Sequence, residues 1–213
     1  MQTSKIALFF ASVILFTSCV KNDSTATGNV AFQLKALISP VQGASIVWTI
    51  GTASVTEVKL EAKKADNSEI EYKSNANVQV DLFAPVNLAS VDIPKGTYTH
   101  LEFRSELASA NNRAALRLEG LYTAGGVATP IVFEVGTPIE LKAGKDSITI
   151  TNASSYVGLT TLTFALLTQG ITEADLKAAD KPGGKIILST SSNPGIYSKM
   201  LLNLDKCSAI EFH

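Results

Sequence analysis

Most of the chain repeats one pattern, in which apolar and polar residues take turns. In VTEVKLEAK, Val58, Leu60 and Ala62 share one face, and Glu57, Lys59 and Glu61 share the other. Leu101 and Phe103 oppose His100, Glu102 and Arg104. Leu116 and Leu118 oppose Arg117 and Glu119. The series continues through Ile131, Phe133 and Val135, then Ile139 and Leu141, Ile148 and Ile150, and Leu162, Phe164 and Leu166. A period of two marks half-buried strands with one face on a core and one in water.

Turn residues separate these runs. Asp66-Asn67-Ser68 lies where a hairpin loop belongs. Pro94-Lys95-Gly96 suits a tight turn, because proline presets one torsion and glycine accepts a positive one. Thr123-Ala124-Gly125-Gly126 and Ala143-Gly144-Lys145-Asp146 are further breaks. The expected fold is mainly β, an antiparallel two-sheet β-sandwich. The runs are too uneven in length for a closed barrel.

One short helix is expected near 171–180. Thr172 is its N-cap, Asp175 stands three residues on, and acidic residues fill the first turn. Lys181-Pro182-Gly183-Gly184 ends it. KIILST (185–190) returns to strand, YSKMLLNL (197–204) fits strand or helix, and AIEFH closes the chain as a strand.

The first residues follow other rules. Lys5 is followed by an apolar run of 11 residues, Ile6 to Phe16, then Thr17, Ser18 and Cys19. A membrane span needs about 20 apolar residues, so the run has the length of a signal-peptide core instead. Small residues before a cysteine resemble the bacterial lipobox, although Phe16 stands where leucine is usual. The resemblance implies cleavage before Cys19 and lipidation of its sulfur. Residues 1–18 are then the signal peptide, 19–27 a lipidated cysteine with a flexible polar tether, and 28–213 one sandwich domain. The expected location is the outer membrane, lipid-anchored, with the cell surface and the periplasmic face both open.

Charge narrows the partners. Without Lys5 the mature chain carries 17 basic and 19 acidic side chains, a net −2. Nucleic acid needs a basic face and is excluded. The expected partners are the membrane, through the anchor at Cys19, and an extracellular glycan or protein.

Catalytic chemistry is thin. The two histidines are His100, on a wet strand face, and His213, the last residue. No serine or cysteine has a nucleophile motif. The many glutamates alternate with apolar residues, as on a solvated sheet face. No calcium loop, zinc spacing or phosphate-cradling loop is present, so no metal and no cofactor is expected. With Cys19 lipidated, Cys207 is alone and reads as a small buried hydrophobe. Aromatic residues near loops suit sugar stacking, which selects Tyr122, beside Gly125-Gly126, and Tyr156, after Asn152-Ala153-Ser154-Ser155. Trp48, in SIVWTI, reads as core.

The run VDIPKGTYTHLEF (91–103) resembles extracellular sandwiches of the prealbumin-like or immunoglobulin-like kind, in which a tyrosine follows a proline-glycine turn. With the lipobox, and with the ending IILSTSSNPGIYSKMLLNLDKCSAIEF, the chain is similar to Bacteroidota lipoproteins bearing such sandwiches, some of them carbohydrate-binding-like. The resemblance implies a non-catalytic binding or adhesion module. A fimbrial-type assembly subunit is the alternative, although no arginine in residues 20–103 offers a processing site after basic residues. An enzyme is the remotest reading.

Overall fold

The computed structural model describes residues 27–37, 46–151 and 155–213. The expected signal peptide, Cys19 and most of the expected tether lie outside them. In chain order the first strands are β1 (Thr27–Leu37), β2 (Ile46–Lys64), β3 (Glu69–Asp81), β4 (Val86–Pro94), β5 (Gly96–Leu107) and β6 (Leu116–Ala124). Then come β7 (Val127–Val135), β8 (Ile139–Lys145), β9 (Ile148–Ile150) and β10 (Ser155–Thr163). Helix α1 (Glu173–Ala178), β11 (Ile186–Leu188), α2 (Pro194–Leu204) and β12 (Ser208–Phe212) complete the order.

The fold is a two-sheet β-sandwich. The smaller sheet runs β12-β10-β1-β4. The larger one is built on β2, whose 19 residues are long enough for two partners on one edge. β5 pairs with residues 55–64 of β2 and β6 with residues 46–53, both antiparallel. β5 and β6 therefore lie end to end. β7 flanks β6, while β8 and β9 flank β5. β3 takes the opposite edge of β2, and β11 lies beyond β7.

Most pairings are antiparallel, as expected, but β1 with β10 and β11 with β7 are parallel. The parallel pairs follow long connections rather than hairpins, which is what parallel geometry needs. Turn chemistry fits the sequence. Gly125 and Gly126 have φ of +56° and +81°, as a two-residue hairpin loop with two left-handed positions requires. Asp66 accepts from the Ser68 amide and hydroxyl at 2.9 and 2.6 Å and shapes the β2–β3 turn.

The core is continuous. Phe32 of β1 stacks on Phe103 of β5 at 4.4 Å, joining the two sheets. Farther along, helices cover the larger sheet. Phe133 of β7 meets Tyr197 of α2 at 5.7 Å, and Leu176, Met200 and Leu204 are buried in the same core. α1 begins with a capping box: Asp175 N donates to Thr172 Oγ1 at 3.1 Å, and Thr172 N donates to Asp175 Oδ2 at 2.8 Å. The second helix, α2, settles the segment that sequence left between strand and helix. It starts at Pro194, a good first-turn residue, after Asn193 at φ +50°.

Candidate functional site

Tyr98 opens β5 just after the Pro94-Lys95-Gly96 turn. Its ring is fully buried and its hydroxyl donates to the Pro94 carbonyl at 2.5 Å. Such a bond back to upstream backbone pins a strand to the preceding turn, as the tyrosine corner does in immunoglobulin-like domains. Burial also holds its phenol above the ordinary value.

The sequence-selected tyrosines do not come together. Tyr122 is a correction, being 2% exposed with its hydroxyl on the Glu173 carbonyl at 3.4 Å. It falls on the inward series Leu116, Leu118, Gly120, Tyr122, so the neighbouring glycine turn does not bring it out. Tyr156 is half-buried at the start of β10, and its hydroxyl accepts from the Thr151 amide at 3.0 Å. Residues 152–154 beside it lie outside the described set. Trp48 is core, as expected, at 3% exposure. So is Cys207, whose thiol donates to the Asn203 carbonyl at 3.4 Å and is pushed up to about 12 by burial.

Charged side chains crowd the larger sheet where β2, β3 and β5 adjoin. Glu57 accepts from Lys59 at 2.8 Å and Lys73 at 2.6 Å, and these bonds hold its carboxyl below the ordinary range. Arg104 is gripped by Glu102 and, at 3.0 Å, by Glu61. Arg117 is gripped by Glu119 at 2.9 Å and by Glu134. His100 contacts Asp146 at 2.8 Å and helps line a shallow groove with Glu61, Lys63, Glu69 and Glu71. Lys59–Glu57, Arg104–Glu102 and Arg117–Glu119 pair along one strand, while Lys73–Glu57, Arg104–Glu61 and Arg117–Glu134 pair across strands, as on a solvated sheet face. Among the described residues no three His, Cys, Asp or Glu side chains converge as a metal-ligand set. No described helix is long and apolar enough to cross a membrane.

A different groove crosses β2 at its bulge between Val55 and Glu57. On one side stand Asn77 and Gln79 of β3. On the other stands the excursion 108–115, which interrupts the β5–β6 line. Ser54 closes the neck of that excursion. Its amide donates to Ala115 O at 3.0 Å, its carbonyl accepts from Ala108 N at 3.1 Å, and its hydroxyl donates to Ala114 O at 3.0 Å. The tip is a two-residue turn, Asn111-Asn112, with φ of +52° and +61°. Sequence reading passed over this site. Its signal was Ala110-Asn111-Asn112-Arg113, where alternation stops and two asparagines supply left-handed backbone.

No family model matches the chain, and no curated protein or solved structure matches it at a significant level.

Proposed function

We propose that this chain is a lipid-anchored envelope protein whose sandwich is a non-catalytic binding module for an extracellular glycan or protein. Lipid on Cys19 holds it to the outer membrane, and each methylene buried in the bilayer contributes about 0.8 kcal/mol. The observation that carries the binding reading is the groove at the β2 bulge, where the exposed side chains of Asn77, Gln79, Asn111 and Arg113 have no hydrogen-bond or ion-pair partner among the described residues. Elsewhere on the larger sheet, charges such as Glu57, Arg104 and Arg117 are tied up in pairs.

Protease shaving of intact cells tests the location, with Cys19→Ala and lysed-cell controls. Digestion of the domain in intact cells is the expected result. Protection until lysis overturns the surface reading.

One observation favours assembly as a second reading. β3 is a 13-residue edge strand, and β2 is its only hydrogen-bonded strand neighbour among the described residues. An open edge of that length is a template for a strand from another molecule. Crosslinking on cells decides this: a ladder of multimers supports it, and monomer alone removes it.

A further inference from the structure

We propose that the groove at the β2 bulge is a seat for the carboxylate of an acidic sugar, held by Arg113. This rests on the binding-module reading above and names its ligand. The chain has three arginines, Arg104, Arg113 and Arg117. Arg104 and Arg117 are each clamped by two glutamates. The Arg113 guanidinium has no carboxylate partner among the described residues, and it lines the groove. A guanidinium presents a planar fork of donors that matches a carboxylate in two parallel bonds.

Its neighbours add the rest of a sugar site. The Asn77, Gln79 and Asn111 side chains also line the groove and make no hydrogen bond among the described residues. A carboxamide donates from nitrogen and accepts at oxygen, so it matches a hydroxyl in either role. Thr56 lines the floor, its hydroxyl spent on the Glu106 carbonyl at 3.2 Å, with the oxygen free to accept. Among the described residues no aromatic ring lines the groove. Stacking is therefore not offered to a sugar ring, and the Arg113 charge is the strongest anchor in the groove.

The backbone holds these groups in place. Asn77 and Asn111 both sit at left-handed φ, +47° and +52°, so their side chains leave the ordinary strand alternation. Ser54 fixes the neck of the excursion with three hydrogen bonds, which keeps Arg113 opposite β3. The cavity is about 50 Å³. One water needs about 10–15 Å³ by the same measure, so the space admits a carboxylate and its adjoining hydroxyls, not a whole buried ligand.

The test titrates the full chain, purified in detergent, with trigalacturonate and, in parallel, with galactotriose. Calorimetry reads affinity, and amide shifts at residues 54–56, 77–79 and 108–115 read position. Trigalacturonate is expected to bind with shifts at those residues, while galactotriose is not. Arg113→Gln is expected to weaken binding about tenfold or more, with the melting temperature unchanged because the side chain has no internal partner. Arg113→Lys is expected to recover part of the loss, since charge remains and the fork does not.

No binding of trigalacturonate overturns the proposal. Binding that survives Arg113→Gln overturns it as well. A peptide carboxylate that binds as tightly as the uronate overturns the sugar assignment. Failure here is distinguishable from failure of the broader reading, because a neutral glycan or protein ligand that ignores Arg113 keeps the binding module and removes only this seat.

Discussion

Gly120→Ala tests the register of the larger sheet with one carbon. Gly120 pairs with Trp48 next to the bulge between Trp48 and Ile50. A methyl at this position would lie 2.2 Å from the Val47 carbonyl oxygen and 3.0 Å from the Trp48 Cα. Ordinary carbon–oxygen contacts fall at about 3.3 Å or more, so the strands must part by about 1 Å. The obstacle is backbone, and no side-chain rotation relieves it. Overpacking costs about 1–3 kcal/mol, and a ladder hydrogen bond lost in the parting costs about 1 more. The expected loss is about 3 kcal/mol. In a domain of this size that lowers the melting temperature by about 6–12 °C. Urea and thermal unfolding, followed by far-ultraviolet circular dichroism, measure it. Gly125→Ala is the comparison: its methyl has nothing within 4 Å, but φ is +56°, so only the left-handed cost of about 1–2 kcal/mol applies. A Gly120→Ala protein melting within about 2 °C of the parent, or above Gly125→Ala, refutes the close approach of these strands.

Other predictions reach different parts of the molecule. Asn193 accepts from the Asp180 amide at 2.8 Å and donates to the Asp180 and Ile187 carbonyls at 3.0 and 2.9 Å, so Asn193→Ala should cost about 2–4 kcal/mol and expose the β11 amides to hydrogen exchange. Unchanged exchange there would show that Asn193 does not join α1, β11 and α2. Tyr98→Phe leaves the Pro94 carbonyl without its donor and should lower the urea midpoint by an amount equal to about 1–2 kcal/mol, with the slope unchanged. Thiol titration at pH 8 should find no reactive group in the native protein and one after unfolding. Two after unfolding would mean that Cys19 carries no lipid. The folded Cys207 thiol titrates at about 12 against an ordinary 9.0, so the folded chain holds its proton longer. Its contribution to stability is full below about pH 9 and is lost as pH rises toward 12. Cys207→Ala should reduce that alkaline slope, leaving the part that Tyr98 contributes through its own raised phenol, and a slope unchanged by the substitution would refute the Cys207 assignment.

Period-two alternation was enough to read the class of fold, because each face of a sandwich strand meets one environment. Val58, Leu60 and Ala62 are buried as their pattern demands, and so are Leu101 and Phe103. The Thr172–Asp175 capping box was equally legible, being a local arrangement over four residues. What alternation could not give was partnership. Nothing local in Ile186–Leu188 says that it pairs parallel with β7, and nothing in residues 197–204 ranks helix above strand until β7 offers Phe133 to Tyr197. Tyr122 went wrong for a related reason. Its place beside a glycine turn argued for exposure, while its place in the inward series argued for burial, and packing by the helices decided the matter.

The same long strand explains where the unpaired polar groups sit. Strands twist, and 19 residues of β2 cannot remain flat over one core. Bulges between Trp48 and Ile50 and between Val55 and Glu57 turn it in steps. The smaller sheet covers the β5 half through Phe32 and Phe103, and the helices cover the half that holds β6 and β7. The seam between the two covers falls at residues 53–55, where β5 ends and β6 has yet to begin. There the chain leaves the sheet for residues 108–115 and returns without breaking either core, since Leu107 and Leu116 are both fully buried. Left-handed asparagines and an arginine with no carboxylate partner among the described residues are tolerated at this seam because these side chains are exposed and no core contact depends on them. A groove placed there lies between two packed halves of the core, which is what the proposed arginine fork requires of its support.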